Sequence, residues 1–187
     1  MHYRSGMPLG ESDFRALLDA DGLLDPRHET ALTFPATASV LTVFSQRADA
    51  RIDAAEWARH AERFLATRIG LTVDKTYDTR VPHRDVARVV LAPKREDGGE
   101  AGTRVCWARP RTDEDLRAAR SAESVGAGLV ELAVRCPHVW LVEIEADDDL
   151  VALRLATILA GVMLGPILGP GGDSLFGPKT ARARLGL

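Results

Sequence analysis

A chain of 187 residues, 45% hydrophobic and 27% charged, has the composition of one globular domain with appendages and enough apolar side chains for a sizeable core. Its net charge of -3 and pI near 6.0 argue against a nucleic-acid surface, which needs a clustered positive field to neutralise phosphates. The two cysteines, Cys106 and Cys136, are too far apart and too few for a metal-ligand pair or a disulfide framework, so reduced thiols in a cytoplasmic protein are expected, with no metal and no cofactor. Lysine occurs only at Lys75, Lys94 and Lys179, asparagine is absent and glutamine occurs once, a usage that fits a GC-rich bacterial genome.

In chain order, Ser12 can cap a short helix carrying Phe14, Leu17 and Leu18 at three- and four-residue spacing. Asp21-Gly22 weakens it and Pro26 ends it, which makes residues 1–30 an amino-terminal arm. The opening residues contain no continuous apolar stretch, so no secretory signal is expected. Thr37 to Phe44 reads as a strand covered on both faces. Asp53 caps a helix predicted to run to about Arg68, with Trp57, Ala61, Phe64 and Leu65 on one face and Gly70 as its stop. Leu71 to Asp85 alternates so weakly that it reads either as an extra edge strand or as a long connection.

Val86 to Ala92 and Thr103 to Ala108 are strand-like, and Asp97-Gly98-Gly99 between them supplies a hairpin turn. Thr112 with Asp113, Glu114 and Asp115 marks the start of a helix that can reach Arg135, with Gly126 and Gly128 interrupting it and Pro137 stopping it. His138 to Glu145 is a further strand, and Asp147 to Asp149 cap an apolar helix over 150–164. Residues 1–164 therefore read as a single α+β domain and residues 165–187 as a Gly/Pro-rich tail. The order strand, helix, strand, strand, helix, strand is that of a ferredoxin-like split βαβ fold (β-α-β-β-α-β), with an amino-terminal helix and an additional apolar carboxy-terminal helix. Both crossover helices would lie on one face of an antiparallel sheet and leave the other for the last helix or a partner.

The apolar run from Leu150 to Leu168 is long enough to raise the question of a membrane anchor. Arg154 and the interrupting Gly161, Gly165 and Pro166 favour a buried or partner-facing helix instead. Tail residues Gly172 to Thr180 imitate a phosphate loop, but Pro178 displaces Lys179 and no helix is expected to follow. Arg104, Arg109, Arg111 and Arg117 around Trp107 invite base stacking, yet the hairpin lacks the aromatic pair of an RNA-binding sheet. Tyr77, Arg80, His83 and Arg84 form the densest group of versatile side chains, in which the arginines would hold an anion and the histidine move a proton.

The preferred reading is a non-enzymatic bacterial interaction or assembly module that self-associates or binds a protein partner. Its interface candidates are Leu155, Ile158, Leu159, Val162, Leu168, Leu175 and Phe176. The competing reading is an anionic-ligand binding domain or enzyme with its pocket near residues 71–85.

Overall fold

The computed structural model describes residues 39–48, 51–75, 86–93, 102–123, 128–146 and 148–187. They form, in chain order, β1 (Val40–Ser45), α1 (Ala54–Leu65), β2 (Thr67–Lys75), β3 (Val86–Pro93), β4 (Gly102–Pro110), α2 (Asp113–Ala122), α3 (Leu129–Val134) and β5 (His138–Glu143). Then come α4 (Leu150–Met163), β6 (Ile167–Leu168), a 3-10 turn at Pro170–Gly172, β7 (Leu175–Phe176) and α5 (Pro178–Arg184).

The seven strands make one sheet in the order β2-β3-β4-β5-β1-β6-β7, and every neighbouring pair is antiparallel. This α+β sheet departs from the expected ferredoxin-like order. A split βαβ sheet would place β1 between β4 and β5, whereas here β5 lies between β4 and β1. The cause is β2. Of Leu71 to Asp85, which fits either a strand or a connection, the first residues to Lys75 belong to an edge strand that begins at Thr67, and residues 76–85 lie outside the described residues; α1 thus delivers the chain to the far edge of the described sheet. From there β2, β3 and β4 meander back toward β1, with β3 and β4 forming the expected antiparallel pair, Leu91 opposite Gly102.

β1 and β5 show why the sheet has two covered faces. All six residues of β1 are buried, and alternate side chains enter different cores. Leu41 and Val43, with Trp140 and Val142 of β5, pack beneath Trp57 of α1 and Leu155 and Leu159 of α4. Val40 and Phe44, with Val139 and Leu141, pack against Leu116 of α2 and Ala133 just before the end of α3. The two crossover helices expected on one face are thus on opposite faces of β1 and β5, α1 beside α4 on one and α2 with α3 on the other.

Helix boundaries obey local chemistry. Asp53 accepts from the Glu56 backbone N–H and caps α1, as its position suggested, but the helix stops at Leu65. Ala66 takes the left-handed conformation that closes it (φ 49°), and Gly70, the expected stop, sits inside β2 opposite Val90. Thr112 and Asp115 form a complete capping box on α2. The Glu123 carboxylate just past α2 accepts from the backbone N–H groups of Leu129 (2.6 Å) and Val130 (3.1 Å), so one side chain caps α3.

The apolar run becomes a helix of 14 residues ending at Met163, and no helix among the described residues is long and apolar enough to cross a membrane. The chain beyond α4 joins the sheet and is not the loose or partner-docked tail its composition suggested. Gly165 crosses β1 so closely that a Cβ there would lie 1.9 Å from the Phe44 carbonyl oxygen, and the Phe44 backbone N–H donates to Pro166 O. β6 then pairs with β1, and β7 with β6. The phosphate-loop-like segment does lead into a helix. This α5 packs on α4, with Ala181 buried and the Arg184 guanidinium 4.0 Å from the centre of the Phe176 ring.

Candidate functional site

The interface candidates are all inside the protein. Leu155, Ile158, Leu159 and Val162 of α4 are buried, as are Leu168 of β6 and Leu175 and Phe176 of β7 within the sheet. Side chains already covered by their own chain offer a partner no apolar area. Tyr77, Arg80, His83 and Arg84 lie outside the described residues.

Three of the four arginines around Trp107 are committed within the fold. Arg104 bonds Asp149 through Nε at 2.7 Å and lies 3.0 Å from Glu145. Arg109 forms a two-pronged pair with Asp115 at 2.6 and 2.7 Å, and Arg111 donates to the Cys136 carbonyl at 2.7 Å. Groups spent on carboxylates and a carbonyl do not form a phosphate-binding rim.

The cysteines are structural. Cys106 is completely enclosed under α4, and burial raises its thiol pKa. The Cys136 thiol is pushed up to about 11 by burial, against the pull of Arg111, and its Sγ bonds the Leu132 carbonyl one turn back. Both thiols are protonated near neutrality, which is unsuited to nucleophilic or ligand chemistry. Among the described residues no group of three His, Cys, Asp or Glu side chains is placed to hold a metal.

Two concavities stand out among the described residues. An open hollow of about 510 Å³ runs along Arg47 and Arg51 to Ala54. Its described lining residues come from one loop and the start of α1, and Arg47 is already bonded to Glu56. The other, about 190 Å³, is built by three helices. α1 supplies His60 and Phe64, α4 supplies Thr157 and Gly161, and α5 supplies Pro178, Lys179 and Arg182.

Its geometry rests on Gly161. A Cβ at that position would lie 2.1 Å from His60 Nε2, so only glycine lets the imidazole lie against α4. The same ring packs on Phe64 with centroids 4.6 Å apart. Burial lowers the His60 pKa; Glu56, one turn earlier, opposes the shift and Arg182 adds to it. At neutral pH the crevice therefore has an apolar floor with a neutral imidazole and a cationic rim of Lys179 and Arg182. From sequence alone, His60 belongs to an exposed pair with Glu56 and Gly161 to a helix interruption. Their juxtaposition depends on α1 meeting α4, which no local pattern encodes.

Compared with protein-family models, curated proteins and solved structures, the chain matches none.

Proposed function

We propose that this protein is an interaction module, working in a bacterial cytoplasm, that self-associates through the outer edge of β2. One observation carries the reading: β2 is nine residues long and has β3 as its only neighbour among the described strands. An unpaired strand edge presents a row of backbone donors and acceptors and is a natural template for a second chain. The opposite edge, β7, is two residues long.

The register supports a limited pairing segment. A bulge between Val73 and Lys75 breaks the regular ladder with β3, which leaves Thr67–Val73 as the straight part of the edge. Gly70 is at its centre and exposed, so a second backbone can approach there without a side chain between them. Antiparallel pairing of two such segments about a twofold axis is isologous and self-limiting, and it would join two sheets into one.

Light scattering after gel filtration of the full chain tests this directly. A dimer is expected that becomes monomeric in Gly70→Lys, where two like charges would face each other across the axis, with circular dichroism unchanged. A parent protein that is monomeric at every concentration would defeat the proposal, and so would a Gly70→Lys protein that remains dimeric.

A further inference from the structure

We propose that the crevice between α1 and α5 is an intramolecular docking site for the acidic amino-terminal segment Glu11–Asp25 of the same chain. The inference is independent of pairing at β2, because the crevice lies on a helical face and not on the sheet edge.

The crevice has the chemistry of a peptide site. At about 190 Å³ it is smaller than the roughly 300 Å³ at which sites for drug-sized ligands begin, yet it offers room for an anchoring side chain. Its apolar part includes Phe64, which leaves 42% of its surface exposed, a large fraction for an aromatic ring. Lys179 and Arg182, both exposed, set a positive rim beside that apolar floor.

The segment Glu11–Asp25 has the complementary pattern. Phe14, Leu17 and Leu18 have the three- and four-residue spacing that would put them on one face of a helix. Glu11, Asp13, Asp19, Asp21 and Asp25 are opposed only by Arg15, five negative charges against one positive, for a net charge of -4. An amphipathic segment seated by an aromatic anchor and framed by opposite charge is a recurrent mode of peptide recognition.

The connection is long enough. The Ser39 carbonyl accepts from the Ile144 backbone N–H, and the neighbouring Glu145 N–H donates to Asp149, the cap of α4. The chain thus enters the described fold near the start of α4. Thr157 and Gly161 lie eight and twelve residues beyond Asp149, about 12–18 Å along the helix at its normal rise. Residues 26–38 number thirteen and can span up to roughly 40 Å.

Lysine scarcity makes the test sharp, because Lys179 is the one lysine among the described residues lining the crevice and the chain has only two others, Lys75 and Lys94. Zero-length carbodiimide coupling of the full chain, read by mass spectrometry on an equal mixture of unlabelled and nitrogen-15-labelled protein, should join Lys179 to an acid of the segment within one chain. Phe14→Ser with Leu17→Ser in the full chain should cut that product by about tenfold or more, since the apolar anchor is lost. Segment acids coupled equally to Lys75 and Lys94, no segment coupling to Lys179, or a yield unchanged in the variant would overturn the proposal. Products of mixed isotopic mass alone would overturn it too, by placing the arm of a second copy in the crevice.

Discussion

The two faces of the sheet are fastened by the same chemistry in two different ways. β4 points alternate residues to opposite sides, and each side sends an arginine to an aspartate at a helix start. On one face Arg109 grips Asp115, whose side chain also closes the capping box of α2, so the latch is contained within residues 109–115. On the other Arg104 grips Asp149, which caps α4 by accepting from Ala152 N–H and also holds the Glu145 backbone. That second latch joins residues 45 positions apart. The local latch needs only the turn into α2, while the distant one requires β4 and α4 to be already side by side, so it reports on tertiary structure.

Asp115→Ala should be the more damaging change, at about 3–5 kcal/mol, because it strips a buried two-pronged partner from Arg109 and the capping box from α2 together. Asp149→Ala should cost about 2–3 kcal/mol, since Arg104 keeps Glu145 and the Thr103 carbonyl as partners. Urea denaturation of both variants checks the order, and a larger loss at Asp149 would reverse the comparison. Burial alone would raise both carboxyl pKa values, but their arginines and the backbone or hydroxyl donors around them hold both below the usual value of 3.8. Their contribution is therefore complete above pH 3.8 and is lost as pH falls through the lower folded-state values.

The difference between the latches also explains how much of the fold is legible in the sequence. Asp53, Thr112 and Asp149 stand out as caps because capping is a local event, and the burial of α4 is implied by its unbroken apolar run. Strand order is not legible, since nothing within β2 reveals that α1 has carried the chain to the far edge of the sheet. β6 and β7 have two residues each, too few to show a period, and the Gly/Pro segment between them resembles a tail until the pairing is seen. The end of α1 is hidden for a different reason: Ala66 accepts a left-handed angle that composition assigns to glycine, as does Leu164 just past α4, whose expected end lies within one residue of the observed one. The crevice is the least legible feature, because its residues come from three helices far apart in the chain.

Gly161→Ala sharpens the comparison on the α4 face. The added methyl must displace the His60 ring, and overpacking of this kind costs about 1–3 kcal/mol, less than the Asp115 latch. Pairing the change with His60→Ala should recover part of the loss, because the smaller side chain vacates the position. Thermal denaturation of the two single variants and the double variant gives the coupling, and additive effects would show that the ring is not the obstacle.

His60 provides the smallest effect and separates the faces by pH. Burial, assisted by Arg182 and opposed by Glu56, lowers its pKa from 6.5, so the folded protein favours the neutral ring. An unfolded chain then binds more protons than the folded one just below pH 6.5, and stability must fall as pH drops through the lower folded-state value. Above pH 6.5 this contribution is complete. Because the aspartates begin to act only below 3.8, acidification should weaken the α4 face first, through His60, and load both latches later. His60→Gln should flatten the upper part of the stability profile and leave the lower part intact. Equal slopes in parent and variant between the two windows would mean that the imidazole gains as much from Glu56 as it loses by burial against Gly161.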